Sequence, residues 1–171
     1  MSVSPPAHEV DVAVVVGNPK RRSRTYAAAH LVAQRLTGVE PRHSIDLADL
    51  GPALLDWSDQ QVSQLVSTVA AADLVVVASP TYKATYTGLL KLFLDRISAG
   101  QLANVVAIPL MLGGDWRHSL AVEVHLKPVL AELGASCPTP GLFLLDSEYE
   151  QSATLESWLE LARLQMPSRC V

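Results

Sequence analysis

The sequence predicts an α/β domain built on a parallel sheet, and three observations carry that prediction. Its strand-length runs are apolar on both faces, as strands covered by helices on either side must be. Those runs alternate with stretches of helical periodicity, the pattern of repeated βα units. Finally, of 171 residues 49% are hydrophobic and only 18% charged, with a mean hydropathy of +0.24. That composition excludes intrinsic disorder and demands a large interior. Aromatic residues make up 5% of the chain, so Val, Leu and Ala must fill the core.

Residues 1–9 carry Pro5-Pro6 and no apolar periodicity, and read as a flexible leader. Residues 10–16 (V-D-V-A-V-V-V) form the first strand, which stops at Gly17. After a polar loop, Ser23 is the candidate cap of a helix to about Leu36, ended by Thr37-Gly38. A weaker strand over 41–47 leads to Asp46 and Asp49, and residues 59–72 read as the second helix. The run 74–78 (L-V-V-V-A) is a buried strand ending at Ser79-Pro80, and 87–97 is a helix in which Gly88 permits close approach to a neighbour. Lys91 and Asp95 are spaced for an i, i+4 pair. Residues 104–112 give another apolar strand before Gly113-Gly114, followed by a helix over 118–133, a strand over 141–145 and a helix over 152–165.

Pro128 should distort the helix over 118–133. Its ring removes a donor and clashes with the carbonyl of Val124, four residues earlier, and one wide turn relieves that clash. No internal repeat or linker interrupts the pattern. The expected organisation is one domain over 10–166, preceded by the leader and followed by a tail over 167–171.

The formal net charge of −4 and pI near 5.7 argue against a nucleic-acid or anionic-membrane surface. Cys137 and Cys170 are the only cysteines, which excludes a disulfide scaffold. The N-terminal residues lack a signal peptide's basic and apolar regions, and the longest apolar stretch, 105–112, is far too short to span a bilayer. A cytoplasmic chain is the expectation.

In an open parallel sheet, ligands collect at the carboxyl ends of the strands. Three such ends combine apolar runs with small turn residues: Gly17-Asn18-Pro19, Ser79-Pro80-Thr81-Tyr82 and Gly113-Gly114-Asp115-Trp116. The first loop continues through Lys20, Arg21, Arg22, Ser23, Arg24 and Thr25. Hydroxyls, cations and the N–H groups of a helix start together suit a phosphate monoester; the alternative is a solvated basic turn. Neither G-x-G-x-x-G nor G-x-x-x-x-G-K-[ST] is present, which weighs against ordinary dinucleotide and P-loop nucleotide sites. In the second loop Pro80 and Tyr82 offer a rigid, flat surface, and Thr81 and Lys83 offer donors to a planar heterocycle.

These stretches resemble the flavodoxin-like NAD(P)H-dependent FMN reductases, close to the flavin reductases of two-component sulfonate monooxygenase systems. The matching segments are G-N-P-K-R-R-S-R-T over 17–25, S-P-T-Y-K-A-T-Y-T-G-L-L-K over 79–91 and G-G-D-W-R-H-S-L-A-V-E-V-H-L-K-P-V-L over 113–130. The resemblance implies a three-layer flavodoxin-like fold with strand order 2-1-3-4-5. It implies FMN as ligand, its phosphate on Ser23, Arg24 and Thr25 with Asn18 and Lys20 nearby. The flavin ring would lie against Pro80, Thr81, Tyr82 and Lys83 and the loop Gly113, Gly114 and Asp115. Spare guanidinium charge on Arg21 and Arg22 makes them candidates for the 2′-phosphate of NADPH, with NADH the other donor.

The implied activity is hydride transfer from NAD(P)H to flavin N5, supplying reduced FMN to a partner monooxygenase. Alternatives are an FMN-bound reductase of quinones, azo compounds or metal oxyanions, and a flavodoxin-like electron carrier. The resemblance also implies a homodimer or tetramer, with Tyr86, Val124, His125 and Pro128 as candidate interface or bulge residues. Val124 stands where many relatives carry Tyr or His, and Asn18 where many carry Ser or Thr. The scattered His residues lack partners at metal-ligand spacing, and there is no G-x-S-x-G, so neither a metal centre nor a hydrolase is expected.

Overall fold

The computed structural model describes residues 9–170; the segment read as a leader lies outside the described residues except for Glu9. Five strands, β1 (Val12–Val16), β2 (His43–Asp46), β3 (Leu74–Pro80), β4 (Val106–Gly113) and β5 (Leu142–Leu145), form one sheet. All four pairings are parallel, and the strand order is 2-1-3-4-5. Helices α1 (Arg24–Thr37), α2 (Gln60–Ala71), α3 (Gly88–Leu94), α4 (Lys127–Glu132) and α5 (Ala153–Gln165) connect and cover it.

The alternation of side chains along each strand splits the interior into two layers. Val12, Val14 and Val16 face α1 and α5, where they meet Ala28, Val32, Leu155 and Leu159. Ala13 and Val15 face the other side, with Val62, Val66, Leu90, Phe93 and Leu126. Every residue of β1, β3 and β4 is buried, which is why these runs read as continuous rather than alternating hydrophobicity.

The helix ends follow their capping residues. Ser23, Asp59, Thr87 and Ser152 each accept an N–H of the first turn, and Gly38 closes α1 in the left-handed conformation at φ 77°. The third helix is shorter than its periodicity predicts. Beyond Leu94 the chain tightens into i→i+3 bonds, Arg96 N–H to Phe93 O and Ile97 N–H to Leu94 O, while Ile97 stays buried. The expected wide turn is present: Val122–Leu126 form a π-helical turn leading directly into α4, with the Lys127 N–H donating to Val122 O.

Pro109 lies in the middle of β4, where a proline is unexpected. The Ala107 N–H donates to Ser136 O, on the β5 side. By alternation the missing N–H of Pro109 also faces that side, where pairing with β5 begins only at Leu110. Within the segment read as a tail, Ser168–Cys170 form a short 3-10 turn and Cys170 is fully buried against the α1/α5 layer. Among the described residues no helix is long and apolar enough to cross a membrane.

Candidate functional site

The order 2-1-3 reverses the direction of winding between β1 and β3, so the loops after these strands diverge and leave a crevice at their carboxyl ends. Gly17 opens the first loop. Its N–H donates to Ala78 O at 2.8 Å, and the Thr87 hydroxyl donates to its carbonyl at 2.5 Å. A Cβ at Gly17 would overlap that of Leu90, whereas one at Gly88 would meet nothing within 4 Å. The close helix approach expected at Gly88 therefore occurs at Gly17.

Asn18 organises the turn that follows. Its amide donates to Thr25 Oγ1 at 3.0 Å and its Oδ1 accepts the Lys20 N–H at 2.9 Å. Arg22 adopts φ 48°, a left-handed conformation that non-glycine residues rarely take, and its N–H donates to the buried Asp46 carboxylate at 2.9 Å. Ser23 caps α1 by accepting the Tyr26 N–H. The N–H groups of Arg24 and Thr25 belong to the first turn, where a helix has no internal acceptor for them.

The premise that Arg21 and Arg22 carry spare charge is not met. Arg21 forms an ion pair with Asp49. Arg22 lies 3.9 Å from Asp46 and 3.8 Å from Asp49, and stacks on Tyr26 at 4.6 Å. Asp46 and Asp49, at the end of β2 and just beyond it, already neutralise this part of the loop.

In the second loop, Ser79 accepts the Thr87 N–H at 3.0 Å and donates to Pro80 O at 2.8 Å. Tyr82 and Thr85 exchange backbone hydrogen bonds of 2.9 and 3.2 Å across Lys83 and Ala84, which have φ 51° and 68°. Positive φ at both central residues defines a tight turn usually built from Asn and Gly; here Lys and Ala occupy it. The turn presents the Tyr82 ring half in solvent. Thr81 Oγ1 is buried and has no hydrogen-bond partner among the described residues; it lies beside Gly113, whose Cα is hemmed in by Phe143 and Thr81.

One cavity of about 320 Å3 collects Asn18, Lys20, Ser23, Arg24 and Thr25, together with Arg22, from the first loop. Pro80 and Tyr82 line it from the second. Leu112 and Asp146 complete the lining. These two were missed by sequence reasoning, although Asp146 directly follows β5 and the strand-end rule applies to it as much as to Ser79. Thr81, Lys83, Gly113 and Gly114 flank the cavity in sequence without lining it.

Asp115 is turned to another task. It accepts the Arg117 N–H at 2.8 Å and pairs with the Arg117 guanidinium at 2.8 Å, and those hydrogen bonds hold its carboxyl below the usual range. Trp116 stacks obliquely on Phe143, with ring centroids 5.7 Å apart. Tyr86 packs, half-buried, against the α2/α3 layer. Val124, His125 and Pro128 are exposed on or beside the π turn. Lys91 and Asp95 form the expected pair at 2.6 Å. Burial pushes the Cys137 thiol up to about 11, which leaves it protonated at neutral pH and inert as a nucleophile.

The chain has relatives among known proteins. A family model described as NADPH-dependent FMN reductase matches residues 10–150. An FMN reductase (NADPH) of Pseudomonas putida is 35% identical over 143 residues, covering 80% of this chain and 72% of the relative. The NADH-dependent FMN reductase SfnE of Pseudomonas putida is 30% identical over 167 residues, covering 90% and 88%. Among solved structures, the apo form of an NADH:FMN oxidoreductase (EMOB) matches with a TM-score of 0.82 and 33% identity, over 93% of this chain and 91% of that one. The chain belongs to the NADPH-dependent FMN reductase family.

Proposed function

We propose that this protein uses NADPH or NADH to reduce FMN and passes the reduced flavin to a partner monooxygenase. The observation that carries the site is the meeting, in one cavity, of the hydroxyl- and cation-rich start of α1 with Pro80 and Tyr82 of the second loop. The first turn of α1 contains no acidic residue, so its N–H groups and helix dipole are available to an anion.

The residues fit the phosphate and ring of FMN. The Ser23 and Thr25 hydroxyls, the Arg24 guanidinium and the N–H groups of the first turn would receive the phosphate, with Asn18 fixing Thr25 and Lys20 adding charge from the rim. Pro80 and Tyr82 would bear on the ring, and the unpartnered Thr81 hydroxyl and the Gly113–Gly114 backbone would meet its polar edge. When bound, FMN supplies N5 as the acceptor of hydride from nicotinamide C4. The chain contributes position and electrostatics rather than a proton-transfer group. Backbone N–H donors of the Gly113–Gly114 loop, held at the pyrimidine edge, would favour the negative charge of a reduced ring.

Because Arg21 and Arg22 are already paired, their proposed role at the NADPH 2′-phosphate requires those pairs to open. Alanine variants that retain the parent's preference between NADPH and NADH would remove that role. The same reading takes the protein to be a cytoplasmic homo-oligomer. Leu120 and Val124, 69% and 53% exposed around the π turn, support a contact between copies there.

Anaerobic stopped-flow mixing of protein and FMN with NADPH or NADH tests the activity. Bleaching of the oxidised flavin band with at least one nucleotide is expected, and no nucleotide oxidation with either would sink the reductase reading.

A further inference from the structure

The candidate cavity contains a feature that works against anion binding. Asp146 is the one carboxylate lining it among the described residues, opposite Lys20, Arg22 and Arg24. Its backbone is fixed by donation of its N–H to Gly113 O at 3.0 Å. Its Oδ2 lies 3.3 Å from Arg24 Nη2, and its carbonyl accepts from Arg24 Nη1 at 3.2 Å.

Arg24 is the first residue of α1, so its cation sits at the positive end of the helix, an unfavourable place. With no acid in that first turn, compensation comes from the far side of the crevice. The pair is built to be breakable: both contacts are long and the two side chains are 63% and 37% exposed, so water and salt screen them. Arg24 and Asp146 also line a neighbouring cavity of about 530 Å3, and the pair therefore forms part of the wall between the two spaces.

We infer that Asp146 is an internal competitor for Arg24, engaging its guanidinium in the free protein and thereby setting the affinity for FMN. A phosphate at the start of α1 must take Arg24 from Asp146, and the lost pair is subtracted from the binding free energy. The flavin is held loosely enough to leave after reduction, as a substrate must be. This rests on the reading of the cavity as the FMN site.

The test is an equilibrium fluorescence titration of the full chain with FMN and with riboflavin, which lacks the phosphate. Asp146→Asn preserves size and backbone while removing the charge; Asp146→Ser serves as a second, smaller replacement. Tightening of FMN by about fivefold is expected, with riboflavin changed less than about twofold. In steady state the KM for FMN and kcat should fall together, because product leaves more slowly. In an Arg24→Gln background the gain should vanish, since the competitor then has nothing to hold.

Equal FMN affinity in parent and variant would overturn the inference, as would equal tightening of riboflavin. So would undiminished tightening in the Arg24→Gln background, which would mean that Asp146 acts on the ligand directly. Failure of the folded parent and variant alike to bind FMN would instead overturn the assignment of the cavity.

Discussion

Gly17 shows how one missing side chain positions the site. Its Cα lies so close to Leu90 that no Cβ fits, and its carbonyl is held by the Thr87 hydroxyl that also caps α3. Gly17→Ala should therefore push α3 outward, destabilising the protein by about 1–3 kcal/mol, and weaken FMN binding; a thermal melt with a parallel titration measures both. The sequence shows a glycine at 17 and another at 88, and nothing local distinguishes the crowded one from the free one. Crowding is a property of two elements, and the partner at 90 is 73 residues away. The charges of Arg21 and Arg22 pose the same difficulty. Both look unpaired until the end of β2 brings Asp46 and Asp49 alongside.

Elements were the most legible scale. The apolar runs located β1, β3 and β4, Ser23 marked a helix cap, and periodicity placed the starts of the helices at 59, 87 and 152 within one residue of those observed, because strand burial, capping and amphipathic spacing are local physics. Pro128 likewise foretold a wide turn, observed as the π turn Val122–Leu126, since the steric demand of its ring is carried by the chain itself. The Lys83-Ala84 turn was not legible. Neither residue favours positive φ, yet both adopt it, held there by the Tyr82–Thr85 bridge. Left-handed backbone costs an alanine roughly 1–2 kcal/mol, a penalty glycine avoids. Ala84→Gly should relieve part of it, a gain of about 1 kcal/mol that raises Tm by about 3 °C, as a calorimetric scan would show. Strain of this kind at a loop that presents a ring surface is consistent with selection for position over stability.

At the scale of the molecule, the crevice has two unlike sides. Gly17, Ala78 and Thr87 tie the β1 loop to β3 and α3 through buried hydrogen bonds, whereas Arg24 and Asp146 meet across an exposed pair. Ligand-induced change should therefore fall on the second side. Hydrogen exchange followed by mass spectrometry should show FMN altering protection over residues 146–151 more than over 87–94; the reverse order would mean that the tied side is the mobile one. The parallel character of the sheet follows from its doubly apolar runs and βα alternation, and the strand order 2-1-3-4-5 from the resemblance carried by the three loops. The contribution of Asp146 was not expected, because it is one of three acids in the run 146–150 after β5 and acquires meaning only beside Arg24.

Pro109 has a consequence for the assembly of that sheet. Strands as uniformly aliphatic as β3 and β4 bury equally well when slid by one residue, so burial alone specifies their alignment poorly. A slide of β4 by one position would turn the missing N–H of Pro109 toward β3 and delete a bond from that ladder. In the observed alignment that gap faces the β5 side, before pairing begins at Leu110. The absent donor thus acts as a register key, rejecting the neighbouring alignments that hydrophobicity would allow and setting the height at which Gly113 emerges beside Thr81.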